Sequence, residues 1–286
     1  MTRTPLLALP LLALPLLALP LLAMTLLPAP ASAAPVAAAA APVAAAAGLA
    51  TRSVEYTQGD TPLEGLLVLD PAGPAKRPGV VLVPDWMGMS PRATAYGEKL
   101  AGLGYVVLVA DVYGKGIHPA SGKEAGPLAG KYKGDRALLR ARVNAALDVL
   151  RRQPQVDGTR LAAVGYCFGG MGALELARSG ASLSGVVTFH GSLGSPTPAD
   201  AKQIKAKVLA LHGADDPFVP EAEVKGFEDE LRAAGVDWQL VKYSGAVHSF
   251  TNPDAGTDNS KGAAYNPVAD RRSWEAMKAF FAEVLK

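Results

Sequence analysis

From residue 61 to Lys286, short apolar runs alternate with longer stretches whose apolar residues recur at helical spacing. Thr61 to Asp70 (TPLEGLLVLD) alternates weakly and predicts an edge strand. Gly79 to Pro84 is continuously apolar, the pattern of a strand buried on both faces. Similar runs at Tyr105–Ala110, Leu161–Tyr166, Gly185–His190 and Lys207–His212 predict further strands, and Asp237–Tyr243 the last. Helices are predicted between them. One is capped by Ser90, has Pro91 at its first position and runs to Leu103. Others span Asp135–Arg152, Ala199–Lys205, Pro220–Ala234 with Gly235 as its stop, and Asn266–Lys286. Asp111 to Leu128 is rich in Gly, Pro, Lys and His and predicts a long loop at the carboxyl end of a strand. Regular alternation of strand and helix predicts an α/β fold, a mostly parallel central sheet with helices on both faces. In such sheets the site lies at the carboxyl ends of the strands.

One strand-to-helix junction stands out. Leu161–Tyr166 runs into Gly165-Tyr-Cys-Phe-Gly169 and then a helix-like GMGALELA. This is the spacing of a nucleophile elbow with cysteine in the nucleophile's place. A side chain on so sharp a turn leaves little room around it, so glycines two residues to either side let strand and helix pass closely. The N-terminal end of the following helix favours a thiolate and any oxyanion formed nearby. Cys167 is the single cysteine of 286 residues, so it cannot take part in an internal disulfide. The competing reading is a small buried hydrophobe.

A cysteine nucleophile needs a base, and a carboxylate to orient that base. In α/β-hydrolases acid and histidine follow the nucleophile in that order. His248 lies just past the last strand, in Ser244–Phe250, and Asp216 just past the preceding one, in His212–Pro220. Asp215 competes with Asp216. The backbone N–H groups of Phe168 and Trp86 are the expected oxyanion donors. Tyr113, His190 and Phe250 are the expected pocket residues, although His190 reads more readily as a packed residue ending a strand, as does His212. His118 falls in the long loop.

Composition narrows the possibilities. The formal charge is +2 and no basic stripe is present, so nucleic acid is not expected as a partner. No metal-ligand spacing, phosphate loop or dinucleotide fingerprint occurs, so neither a metal nor a cofactor is expected. Within the first fifty residues Arg3 is the one charged residue. An apolar stretch to Leu27, with prolines at 5, 10, 15 and 20, precedes Ala31-Ser-Ala33. This reads as a secretory signal peptide (residues 1–33) cleaved near Ala33, the prolines opposing a membrane-spanning helix. Residues 34–50 read as an Ala/Pro-rich linker and 51–286 as one catalytic domain. A secreted or periplasmic monomer, with no membrane span after cleavage, is expected.

Four segments together carry a family resemblance: Gly165-Tyr-Cys-Phe-Gly-Gly170, Gly213-Ala-Asp-Asp-Pro-Phe-Val-Pro220, Gly245-Ala-Val-His-Ser-Phe250 and Ala110-Asp-Val-Tyr-Gly114. Over residues 55–286 the chain resembles the dienelactone hydrolase family of α/β-hydrolases. The resemblance implies Cys167 as nucleophile, Asp216 as acid, His248 as base, and hydrolysis of lactones such as carboxymethylenebutenolide. Two departures accompany it. Asp85 stands where the family's best-known members carry a glutamate that helps to deprotonate the cysteine, so Asp85 is the expected activating carboxylate. No arginine occurs in His248–Asn252, where those members hold the substrate carboxylate. The expected activity is therefore stated broadly, as hydrolysis of a small lactone or carboxylic ester through an acyl-cysteine. Two alternatives stand beside it: a hydrolase-fold binding protein without turnover, and a redox-sensing thiol protein.

Overall fold

The computed structural model describes Met1 and residues 48–286. The expected signal peptide and most of the expected linker lie outside the described residues. The described chain folds around an eight-stranded sheet of order β1-β2-β4-β3-β5-β6-β7-β8. Its strands are β1 (Ala50–Gln58), β2 (Thr61–Leu69), β3 (Arg77–Val83), β4 (Val106–Val109), β5 (Val156–Tyr166), β6 (Gly185–Phe189), β7 (Lys207–Gly213) and β8 (Trp238–Tyr243). The pairings β1–β2 and β2–β4 are antiparallel, and all others are parallel. This is the α/β-hydrolase architecture.

Among the described residues six α-helices cover the sheet: α1 (Pro91–Ala101), α2 (Gly122–Gly134), α3 (Arg136–Arg151), α4 (Phe168–Arg178), α5 (Glu221–Ala234) and α6 (Pro267–Val284). Each central strand divides its side chains between two apolar layers, as the two-residue period requires. Val81 and Val83 of β3 pack with Leu139, Val143 and Leu150 of α3, Leu174 of α4 and Phe227 of α5. Val80 and Leu82 pack on the opposite face with Leu100 of α1 and with Met277, Phe280 and Phe281 of α6. The helix starts carry the caps their sequences announce. Ser90 accepts from the N–H of Ala93, Asp135 from that of Leu138, and Asn266 from those of Val268 and Ala269.

Two expectations require correction. Thr61–Asp70 is not the sheet edge, because β1 forms a hairpin with it and takes the outer position. β1 (ATRSVEYTQ) is exposed or half-buried along its whole length, so no apolar alternation marks it. The long loop is in part a helix. α2 contains Pro127 and glycines at every fourth position from 122 to 134, a composition of low helix propensity. Burial of Ala125, Ala129 and Tyr132 against the core holds it in place, an instance of tertiary packing overriding local preference.

Candidate active site

Cys167 joins β5 to α4 with φ 56° and ψ −118°, a left-handed conformation costly for a residue with a Cβ. The glycines around it are dictated by contact. A Cβ on Gly165 would run into the carbonyl of Gly169, and one on Gly169 into the carbonyls of Val83 and Pro84. The elbow is thus a three-way backbone contact between β5, α4 and the end of β3. His190 and Ser249 are the two other non-glycine residues with positive φ among the described residues, and both adjoin the same region. α4 is buried at every position, so the elbow rests on a rigid support.

Three loops converge on the half-buried thiol. His248, in the loop after β8, places Nε2 3.0 Å from the Sγ of Cys167. Its Nδ1 lies 2.8 Å from Oδ2 of Asp216, in the loop after β7. A carboxylate oxygen only accepts, so Nδ1 donates to Asp216 and Nε2 is the nitrogen that faces the sulfur. The other oxygen of Asp216 accepts from the N–H of Phe218 at 2.9 Å. Asp215 is exposed, and its carboxylate accepts instead from the N–H of Gly245. The geometry thereby separates the two neighbouring aspartates. The loop bearing His248 is held by backbone bonds to Gly262 and Ala264.

Electrostatics at this trio favour a protonated imidazole. Burial opposes protonation of His248, but its hydrogen bonds to Asp216 and Cys167, and their charges, outweigh that cost and push its pKa up to about 10. His190, whose ring centroid is 5.2 Å from that of His248, is held neutral: burial foremost, then the charge of His248, push its pKa well below the ordinary value.

The remaining expected residues fall into separate groups. Tyr113 is buried, donates its hydroxyl to the Trp86 carbonyl at 2.7 Å and packs near Phe168. Trp86 itself is 40 % exposed at the rim. Phe250 is fully buried behind His190 and Tyr243, so it supports the site from the core and does not face an open cleft. Asp85 is not a hydrogen-bond partner of Cys167; its carboxylate engages the N–H of Met87 and the guanidinium of Arg92. Among the described residues no His, Cys, Asp and Glu cluster could hold a metal ion, and no helix is long and apolar enough to cross a membrane.

Sequence reasoning missed a bracing chain. Nε2 of His190 lies 2.9 Å from Oγ1 of Thr251, which in turn lies 3.2 Å from the hydroxyl of Tyr96 on α1. Arg92 of α1 also bridges Asp85 and Asp254. Together they tie the loop that carries His248 to α1 and β6. Phe218 was missed as well. It is 58 % exposed yet sets its ring edge-on against His248, 5.4 Å between centroids. Its place two residues after Asp216 was a usable signal.

Known proteins with this arrangement of strands and loops are close at hand. A crystal structure of a dienelactone hydrolase-like promiscuous phosphotriesterase from metagenomic libraries is 43 % identical, with a TM-score of 0.80, covering 84 % of this chain and 100 % of that one. A dienelactone hydrolase from Anabaena variabilis, 22 % identical, shares the fold with a TM-score of 0.63 over 83 % of this chain and 99 % of that one. An uncharacterized protein of Caenorhabditis elegans is 33 % identical over 150 residues, 51 % of this chain and 93 % of that protein. The model of the dienelactone hydrolase family matches residues 63–285, from β2 to the end of α6, and the chain belongs to that family.

Proposed function

We propose that the protein hydrolyses small lactones or carboxylic esters through an acyl-cysteine intermediate. The observation that carries this reading is the alignment of Cys167, His248 and Asp216 at 3.0 and 2.8 Å across three loops. Family membership supports the reaction class.

The thiolate of Cys167 attacks the carbonyl carbon, and the C=O electron pair moves onto oxygen. That oxygen is received by the N–H groups of Phe168 and Trp86. Collapse of the tetrahedral species breaks the carbon–oxygen bond to the alcohol, which leaves with the proton of His248. Neutral His248 then takes a proton from water as the water attacks the thioester. The acid leaves, carbon–sulfur cleavage regenerates the thiolate, and His248 is again protonated. Asp216 holds the imidazole in one tautomer and balances its charge in both steps. The exposed side chains of Trp86 and Phe218 give the acyl and alcohol portions apolar surroundings.

Intact-mass trapping on p-nitrophenyl acetate and a panel of lactones tests this directly. A transient acetyl adduct on Cys167 is expected, and Cys167→Ala is expected to abolish both adduct and turnover. Undiminished turnover by Cys167→Ala rules the mechanism out, and stable binding without hydrolysis would favour a binding protein.

A second activity is favoured by the 43 % identical phosphotriesterase. The same donors that receive a carbonyl oxygen are suited to a phosphoryl oxygen. Thiolate attack on a neutral phosphotriester would expel the aryloxide and leave a phosphorylated cysteine for water to cleave. Slow release of p-nitrophenol from an aryl phosphotriester, lost in Cys167→Ala, is the expected result.

A further inference from the structure

The turn after β3 is held more tightly than its length demands. The carbonyl of Asp85 accepts from the N–H of Gly88 at 2.9 Å, fixing the plane of the Asp85–Trp86 peptide. The next peptide is fixed at both ends. Its N–H, on Met87, donates to Oδ1 of Asp85 at 2.8 Å, and its carbonyl, on Trp86, accepts from the Tyr113 hydroxyl at 2.7 Å. Oδ2 of Asp85 faces Nη1 of Arg92 at 3.3 Å, which orients the carboxylate from the other side.

Not every donor of this turn is engaged, and the N–H of Trp86 is among those left over. Among the described residues nothing accepts from the N–H of Trp86, and nothing accepts from that of Phe168. A trans peptide directs its N–H opposite to its carbonyl. Anchoring the Asp85 carbonyl on Gly88 therefore also sets where the Trp86 N–H points. The turn sits against the elbow, since Gly169 has no room for a Cβ beneath the carbonyls of Val83 and Pro84. Tyr113 spans both sides: its hydroxyl holds the turn, and its ring lies 5.9 Å from that of Phe168.

We propose that Asp85 and Tyr113 are positioning residues for the oxyanion site, and that Asp85 acts through this turn and not by taking up the proton of Cys167. Both oxygens of Asp85 are already engaged, one by a backbone N–H and one by a guanidinium. The shorter side chain that weakens it as a reach to the thiol is the one that closes a tight turn on a residue two positions ahead. The proposal rests on the acyl-cysteine reading above.

The amide of asparagine keeps an oxygen that accepts from Met87 but carries no charge to assist a thiol. Asp85→Asn, Asp85→Ala, Tyr113→Phe and Cys167→Ala are compared by kcat and KM on an aryl ester. Thiolate ultraviolet absorbance, affinity for an aldehyde inhibitor that forms an oxyanion, and melting temperature are measured alongside. Asp85→Asn is expected to keep kcat within about threefold, as the turn survives. Asp85→Ala and Tyr113→Phe are expected to lower kcat by roughly 10- to 100-fold, with aldehyde affinity falling in parallel and KM and thiolate absorbance unchanged. Two results overturn the proposal: an Asp85→Asn loss equal to that of Asp85→Ala with thiolate absorbance reduced in both, or a Tyr113→Phe enzyme of full kcat. If Asp85→Ala does not fold, Asp85→Asn and Tyr113→Phe carry the test. Full turnover by Cys167→Ala is a different failure, that of the underlying mechanism.

Discussion

Nε2 of His248 lies 3.0 Å from Sγ of Cys167, although 81 residues separate them along the chain. His248, bonded to Asp216 and Cys167, favours its protonated form up to about pH 10, so the acid that acylation requires is in place over the neutral range. Loss of the imidazolium proton then removes the acid that the leaving alcohol needs. With alkyl esters, kcat/KM is expected to persist through pH 8 and to fall as pH approaches 10. With p-nitrophenyl esters, whose leaving group needs little acid assistance, the alkaline fall is expected to be much weaker. Stopped-flow acylation rates over this range check the contrast, and identical alkaline limbs would contradict it.

The same shift has a consequence for stability. The pKa of His248 is raised on folding from 6.5 to about 10, so the folded state binds the proton more tightly than the unfolded one. Its contribution is fully present below about pH 6.5 and is lost as pH rises through about 10. The difference in melting temperature between the native protein and His248→Gln is expected to shrink steadily across that window. Calorimetry at matched ionic strength measures it.

Gly165→Ala places a methyl group against the carbonyl of Gly169, with backbone on both sides and no flexible neighbour to yield. A loss of roughly 2–4 kcal/mol is expected from denaturant midpoints, together with loss of activity as the elbow opens. A fully stable and active variant would show that the close passage is dispensable.

α2 offers the opposite case. Gly126 and Gly130 are helical, and a Cβ at either would meet open space. Alanine is expected to stabilise by about 0.5–1 kcal/mol at each, through the unfolded chain's lost freedom. Additive gains with unchanged kcat/KM are the outcome sought. A fall in activity would indicate that α2 must open for substrate to enter.

Much of the architecture was legible along the chain. Continuous apolar runs at Val80–Val83 and Val106–Val109 mark strands buried on both faces, and a buried strand has no polar face to obscure it. The spacing Gly165–Cys167–Gly169 was readable because a steric requirement of the turn is written locally. β1 was not readable, since its side chains remain in or near solvent. α2 was not readable, since its glycines and Pro127 speak against a helix that only burial of Ala125, Ala129 and Tyr132 sustains.

The chain by itself determined the order of strands and helices other than β1 and α2, the position of the elbow, and the candidate groups at later strand ends, because each depends on neighbours in sequence. Only the tertiary structure brought Asp216 and not Asp215 to His248, buried Phe250 behind His190, and turned the carboxylate of Asp85 toward Met87 and Arg92. Those outcomes depend on where separate loops meet. Loop encounters are set by packing across the sheet, which no local pattern encodes.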